Sequence, residues 1–154
     1  MYDQWEYQIP KATSEENLIE IPIKISLGII TDIYIGFPRG CGYYDEATDT
    51  TYHLARTRLF WHSSIIVPRS PKSFIGADDY VVHAGPMKYR ILKGEPELTW
   101  QLWNLDEGKS HKLWLGVNWM TKEEVEADIL ALESLNLTMK DMAKILRATF
   151  LGEE

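Results

Sequence analysis

Apolar residues alternate with polar or small ones over much of residues 18–119, and this period of two is the feature that most constrains the fold. β-Branched and aromatic residues dominate the apolar positions, as expected for a strand whose successive side chains point to opposite faces. Polar residues at the alternate positions disfavour a parallel sheet buried on both faces, so antiparallel strands are predicted. The clearest runs are Ile19, Ile21, Ile23, Ile25 and Leu27, then Ile29, Thr31, Ile33, Ile35 and Phe37.

Segments rich in Gly and Pro divide this region into short strands. Pro22 lacks the amide hydrogen that a central strand requires, so its strand is expected at a sheet edge or at a bulge. Two loops are predicted, at 37–52 and 68–79. Further strands are expected near 53–60, 62–67, 80–83, 87–93, 97–105 and 110–119.

At Thr121 the period changes to that of a helix. The segment TKEE predicts a capping box, with Thr121 as the N-cap and Glu124 as the third helical residue. Apolar residues then follow at helical spacing, namely Val125, Ile129, Leu130 and Leu132. A short break at LN is expected before a second helix, which begins at TMKD with Thr138 and Asp141 as its caps. The apolar face of that helix would be Met142, Ile145, Leu146 and Phe150.

These patterns divide the chain into three parts. Residues 1–17 form an N-terminal arm, and residues 18–120 a mainly β, antiparallel sandwich of jelly-roll-like form. Residues 121–154 form a short C-terminal helical hairpin. This architecture is the prediction that the structure tests.

Composition excludes several classes of partner. The net charge of -7 argues against binding of a nucleic-acid backbone, which needs clustered Lys and Arg. A single cysteine, Cys41, excludes an intramolecular disulfide and a thiolate metal cluster. No stretch approaches the roughly 18 apolar residues of a membrane span, and no basic segment with an apolar run begins the chain. We expect synthesis in the cytoplasm without a secretory signal, and neither a membrane nor a nucleic acid as partner.

Four of the six tryptophans fall within residues 97–119, which we interpret as a hairpin closed by the four-residue loop DEGK. One face of this hairpin is expected to be core, with Leu98, Trp100, Leu102, Leu113, Leu115 and Val117. The other face would place Trp103 opposite Lys112, and Gln101 opposite Trp114. Trp103 and Trp114 would then lie diagonally, about 7–8 Å apart.

Three interpretations of this tryptophan pair remain open. The two side chains pack under the helical hairpin, form a contact between subunits, or stack on a sugar or another planar ligand. Packing under the helical hairpin is the simplest of the three, and a contact between subunits is also physically reasonable, because tryptophan is enriched at the centres of protein interfaces.

The sequence identifies no catalytic, cofactor-binding or metal-binding residues. The four histidines are too far apart for a short metal-binding motif, and the acidic loops lack the alternation of an EF-hand. Cys41 has no base beside it in the sequence, which a nucleophile would need. An enzyme would have to assemble a site from distant loops, for instance from Asp78, Asp79, His83 and Arg39.

Residues 9–117 resemble small β-sandwich proteins encoded among the structural genes of tailed viruses of bacteria and archaea. The resemblance lies in the segments "ATSEENLIEIPIKISLGIITDIYIGFPRGCGYY", "DDYVV" and "WNLDEGKSHKLWLGV". In that family an N-terminal "IP…T…N" segment leads into "G-(apolar strand)-FP-x-G", and a later "N-x-D…H" hairpin closes the domain. The resemblance implies a head-decoration or virion-surface protein that assembles as an oligomer on a capsid.

The expected function is therefore structural and non-enzymatic: self-association, and docking on a larger assembly such as a viral capsid. The arm is expected to add as a strand to a neighbouring subunit. Aromatic anchors would hold the contact, namely Trp5, Tyr7, Trp103 and Trp114, with Gln101 and Lys112 beside them. The alternative is a carbohydrate-binding module that uses Trp103 and Trp114 as its stacking platform.

Overall fold

The computed structural model describes the backbone of residues 1–70 and 73–151. It describes all of their side chains except those of residues 137, 138, 145, 146 and 148–151. The strands are β1 (Tyr2–Ile9), β2 (Ile19–Lys24), β3 (Gly28–Phe37), β4 (Gly42–Asp45), β5 (Thr50–His53), β6 (Ala55–Trp61), β7 (Ser64–Val67), β8 (Tyr80–Ala84), β9 (Tyr89–Ile91), β10 (Glu97–Asn104) and β11 (His111–Thr121). A short 3-10 helix spans Glu15–Asn17, and the helix α1 spans Lys122–Leu151.

The fold is mainly antiparallel β, as predicted, with two sheets whose apolar faces share one core. Sheet 1 has the strand order β1-β11-β3-β8, and β9 also pairs with β3. Sheet 2 has the order β2-β10-β6-β7, which places Pro22 on an edge strand as predicted. Many inward-facing residues of both sheets are fully buried, among them Ile33, Ile35, Leu98, Trp100, Leu102, Leu113, Leu115 and Val117.

The predicted loop at 37–52 contains a hairpin of its own. Strands β4 and β5 pair with each other, from Gly42 opposite His53 to Asp45 opposite Thr50. The rings of Tyr43 and Tyr52 stack across this pair with centroids 5.1 Å apart. The short strands were missed because they have no buried residue and no alternation of apolar with polar residues.

The N-terminal segment is a strand of the chain's own sheet rather than a free arm. β1 pairs with β11 along its whole length, from Tyr2 opposite Asn118 to Ile9 opposite His111. The N-terminal amino group also donates a hydrogen bond to the carbonyl of Trp119 at 2.8 Å. This differs from the expectation that residues 1–17 form an arm that adds as a strand to a neighbouring subunit. Residues 2–9 instead pair with β11 of the same chain.

β10 and β11 do not form the predicted hairpin. β10 lies in sheet 2 between β2 and β6, whereas β11 lies in sheet 1 between β1 and β3. The loop at 105–110 crosses from one sheet to the other. The assignment of inward-facing residues was nevertheless correct, since both strands turn these residues toward the same core.

The C-terminal hairpin is also replaced, by one continuous helix from Lys122 to Leu151. The capping box that begins this helix is confirmed, with reciprocal hydrogen bonds between Thr121 and Glu124. No Gly or Pro occurs between residues 122 and 151, so nothing in the backbone forces the predicted break at LN. The side chains of Ile145, Leu146 and Phe150, predicted to form an apolar face, lie outside the described side chains.

Candidate functional site

Trp103 and Trp114 lie on opposite outer faces of the two sheets, so the predicted pair does not exist. Trp103 pairs across the strands with Arg56 in sheet 2. Trp114 lies between Glu6 and Gly36 in sheet 1. A platform formed by both indoles is therefore excluded, since the core of the sandwich separates them.

Trp103 is buried, with 1% of its surface exposed. Phe74, from the loop before β8, contacts its ring in a T-shaped arrangement with centroids 6.0 Å apart. The guanidinium of Arg58 lies 4.9 Å from the centroid of the same indole. Trp103 thus packs beneath a loop and not beneath the C-terminal helix, and it is not accessible to a ligand.

The remaining predicted anchors are divided among three places. Trp5 and Tyr7 are half-buried and pack against the core from the inner face of β1. Gln101 accepts a hydrogen bond from Nε of Arg58 at 3.1 Å on the outer face of sheet 2. Lys112 pairs with Glu6 at 2.8 Å on the outer face of sheet 1. The six predicted residues therefore lie on three surfaces: Trp114 and Lys112 on the outside of sheet 1, Trp103 and Gln101 on the outside of sheet 2, and Trp5 and Tyr7 on the inner face of β1.

Trp114 belongs to a cluster of rings on the outside of sheet 1, which we call the outer aromatic face: Tyr2, Tyr34, His83 and Trp114. Tyr34 stacks on His83 with centroids 4.6 Å apart and ring planes 7° from parallel. Tyr2 meets Tyr34 edge to face at 6.4 Å. The register of β1, β11, β3 and β8 turns all four rings outward.

Two glycines allow these rings to lie close to the backbone. A Cβ on Gly36 would collide with Nε1, Cε2 and Cδ1 of Trp114, so the indole covers this residue. A Cβ on Gly116 would collide with the phenol oxygen of Tyr2. The sequence carries this signal, because both glycines occupy outward positions next to aromatic ones. This signal can be recognised only when the register of the neighbouring strands is known.

A polar network borders the outer aromatic face. Asp32 Oδ1 lies 2.8 Å from Nε2 of His83, and the amide of Asn118 donates a hydrogen bond to Asp32 Oδ2 at 3.4 Å. The hydrogen bond from His83 is the main reason that the pKa of Asp32 lies below its usual value. The Asp32 carboxylate is therefore charged at neutral pH and held in one orientation.

A second exposed apolar surface runs along α1. Every described side chain from Glu126 onward is exposed, including Ile129, Leu132 and Met139. Near its start the helix contacts β3 and β11, and the amide of Lys122 donates to the carbonyl of Leu27 at 2.8 Å. The sequence predicted two helices here. A single helix would have shown apolar residues at regular spacing along one face, which is the signal for this surface.

His111 and Asp106 stabilise the loop between β10 and β11. Nε2 of His111 lies 2.8 Å from Oδ2 of Asp106, whose Oδ1 accepts the backbone amides of Gly108 and Lys109. The amide hydrogen bond from Gly108, followed by His111, lowers the pKa of Asp106. The side chains of His111 and Asp106 therefore have a structural role, which is to hold the turn between β10 and β11 in one conformation.

The residues considered for an enzyme fall into different hydrogen-bond networks. Asp78 accepts the backbone amides of Gly40 and Cys41, whereas His83 pairs with Asp32. Burial, followed by the charges of Asp78 and Asp106, raises the pKa of the Cys41 thiol to about 12. A thiol of that pKa is protonated at neutral pH, so Cys41 lacks the thiolate that a nucleophile requires.

Neither a metal-binding cluster nor a membrane-spanning helix occurs in the part of the chain that the structure describes. There, no three side chains of His, Cys, Asp or Glu type are grouped so that they could hold a metal ion. No helix among the described residues is long and apolar enough to cross a membrane. Comparison of the chain with protein-family models, with curated proteins and with solved structures yields no match.

Proposed function

We propose that this protein is a structural, non-enzymatic protein that self-associates, and that α1 is the element through which its copies associate. The observation that supports this function is the exposed apolar surface of α1. Helices in proteins derive most of their stability from packing of an apolar face, and an isolated helix is only marginally stable in water. A 30-residue helix that is exposed along most of its length is therefore expected to have a partner.

One set of residues in α1, all but one of them apolar, follows a heptad repeat in alternating steps of four and three residues. We call them the helix stripe: Val125, Ile129, Leu132, Asn136, Met139 and Ala143, followed in the sequence by Leu146 and Phe150. A repeat of 3.5 residues keeps one face turned toward a partner helix along the whole contact, as in a coiled coil. The stripe spans most of a helix about 45 Å long.

The charges beside the helix stripe make α1 complementary to a second copy of itself. Glu126 and Glu133 flank the stripe in the first half of the helix, and Lys140 and Arg147 flank it in the second half. In an antiparallel pair with aligned core layers, Glu126 lies opposite Arg147 of the second copy, and Glu133 opposite Lys140. A parallel pair would instead bring Asp128 close to Glu133, two like charges.

Asn136 is the polar member of the helix stripe. A polar residue at one core position of a coiled coil restricts register and partner number, at a cost in stability. In the aligned antiparallel pair it lies opposite Met139 of the second copy, whose unbranched side chain adapts to irregular neighbours.

Light scattering on the full chain over a range of concentrations tests self-association. The wild type is expected at a multiple of 17.8 kDa, and Leu132→Glu is expected to shift the mass toward the monomer. Leu130→Glu is the matched control, because Leu130 is 63% exposed and Leu132 60%, but only Leu132 belongs to the stripe. A monomeric wild type, or equal masses for the two variants, would overturn the proposal.

We further propose that the oligomer docks on a larger assembly, for which a viral capsid is our candidate. This step is supported by the resemblance of residues 9–117 to virion-surface proteins. Antibodies against the purified protein are expected to label purified particles from the biological source of the sequence. Labelling found only in the unassembled soluble fraction would contradict a place on the particle and leave self-association untouched.

A further inference from the structure

We propose that the outer aromatic face binds a neutral carbohydrate chain, with Trp114 as the central stacking surface and Tyr2 as a second one. This binding site is separate from α1, so it does not depend on the proposed self-association. It also differs from the carbohydrate site expected from the sequence, because Tyr2 and Tyr34 take the place that Trp103 was predicted to hold.

The seating of Trp114 is the first argument. Its indole lies face-on over Gly36, since the ring atoms Nε1, Cε2 and Cδ1 surround the position of a Cβ there. One ring face is thus held against the backbone, and the opposite face is directed away from the sheet. Aromatic faces carry partial negative charge and attract the weakly positive C–H groups of a sugar ring.

The polar groups beside the rings are the second argument. The Asp32 carboxylate and the Asn118 amide lie at the edge of the outer aromatic face, fixed by each other and by His83. Together they offer acceptors and donors next to an apolar platform. Binding sites for small ligands combine an apolar lining with a few placed polar groups, and the hydroxyls of a sugar can both donate and accept.

The shape of the surface is the third argument. A depression of about 390 Å³ lies on one side of Trp114, lined by Tyr2, Tyr34 and Asn118. A second depression of about 300 Å³ also borders Trp114 and is lined by Tyr80 and Lys112, among others. Trp114 therefore separates two shallow sites on one surface, which suits successive rings of an oligosaccharide.

Charge selects a neutral ligand over a nucleic acid. Stacking rings also bind single-stranded nucleic acids, but such sites follow the phosphate backbone with cations. Here the neighbouring cation Lys112 is paired with Glu6 at 2.8 Å, and Asp32 adds a negative charge. The net charge of -7 opposes a polyanion further.

Isothermal titration calorimetry with the full chain tests this site. The probes are neutral tetrasaccharides and hexasaccharides built on glucose, N-acetylglucosamine, mannose or galactose. At least one is expected to bind, and Trp114→Ala and Tyr2→Ala should each weaken binding by about tenfold or more. Tyr44→Ala is the matched control, since Tyr44 is 57% exposed and Tyr2 51%, but Tyr44 lies on the β4–β5 hairpin.

Gly36→Ala tests whether the position of the Trp114 indole matters, because this variant keeps the indole but moves it. A methyl group at Gly36 would displace the indole while Trp114 remains present, so weaker binding is expected. An unchanged affinity in this variant would contradict a role for the flat indole. The Nε1–H resonance of Trp114, identified by its loss in Trp114→Ala, should shift on addition of the bound sugar.

Two outcomes would overturn the carbohydrate site. One is that no probe binds the wild type at millimolar concentration. The other is that Trp114→Ala lowers the oligomer mass, which would make this face a contact between copies. Failure of the proposed self-association gives a different result: Leu132→Glu would then leave the mass unchanged, and sugar binding per chain would remain.

Discussion

The backbone amide of Thr121 donates a hydrogen bond to Oε2 of Glu124 at 2.7 Å, and the amide of Glu124 donates to Oγ1 of Thr121 at 3.3 Å. This reciprocal pair marks the residue at which β11 ends and α1 begins. The first turn of a helix leaves its amides without helical acceptors, and the pair satisfies two backbone amides at this junction.

Loss of the capping box should loosen the first turn of α1. Thr121→Ala is expected to lower the free energy of local opening by about 1 kcal/mol, which corresponds to roughly fivefold faster amide exchange in that turn. Hydrogen exchange followed by mass spectrometry measures this change. Glu123→Ala is the control, because Glu123 lies in the same turn and takes no part in the capping pair. Equal acceleration in both variants would contradict a specific cap.

Burial of Trp103 predicts unequal effects for the two tryptophans. Trp103→Ala should lower the free energy of unfolding by about 3–5 kcal/mol, because it leaves a cavity beneath Phe74 and Arg58. Trp114→Ala removes a partly exposed side chain and should cost less than about 1 kcal/mol. Urea unfolding measures both values. A similar loss in the two variants would contradict the separate environments that the structure gives them.

Trp103 and Trp114 show that the sequence predicts which residues of a strand face the core, but not which strands pair with each other. Alternation identified the inward residues of β10 and β11 correctly, because burial on one face is recorded in the sequence of each strand. The partner of each strand is not recorded locally. β10 finds β2 and β6, and β11 finds β1 and β3, all distant in sequence. A short loop between two strands therefore suggested a hairpin that long-range pairing replaced.

The same distinction applies to the surfaces. The capping box was predictable, because Thr121 and Glu124 are three residues apart and interact through local geometry. The outer aromatic face was not, because it requires the register of β1, β11, β3 and β8 to bring Tyr2, Tyr34 and Trp114 together. The helix stripe could have been predicted from the sequence, but the expected break at LN divided its repeat between two helices.

The Asp106 network predicts a dependence of stability on pH. The pKa of Asp106 is lowered in the folded protein, so its ionised form stabilises the fold above the unfolded pKa of about 3.9. This stabilisation is lost as the pH falls through the lowered folded value. Asp106→Asn should therefore be less stable than the wild type at pH 7, and the difference should shrink as the pH falls below about 5.

Chemical denaturation at several pH values between neutral and acid measures the Asp106 effect. Glu107→Gln removes one negative charge from the same turn, at an exposed residue, and serves as the control. It should follow the wild type over the same pH range. A gap between wild type and Asp106→Asn that stays constant with pH would contradict the assigned network.

The orientation of paired α1 helices is the last prediction. The antiparallel pair gains the attractions of Glu126 with Arg147 and of Glu133 with Lys140. A parallel pair gains only the hydrogen bond that two facing Asn136 amides can form. Exposed charge pairs on helices contribute about 0.3–0.5 kcal/mol each, and the antiparallel pair has four of them. A parallel pair replaces these attractions with repulsion between Asp128 and Glu133, so we expect the antiparallel arrangement.

Single cysteine variants distinguish the two orientations. Leu132 lies opposite Ala143 of the second copy in the antiparallel pair, but opposite the other Leu132 in a parallel one. Leu132→Cys mixed with a size-tagged Ala143→Cys should therefore form a mixed disulfide under mild oxidation, while neither variant alone forms one readily. The native Cys41 is buried and should not interfere. Rapid homodimer disulfides in each variant alone would instead establish parallel helices and remove the charge argument on which the antiparallel pair rests.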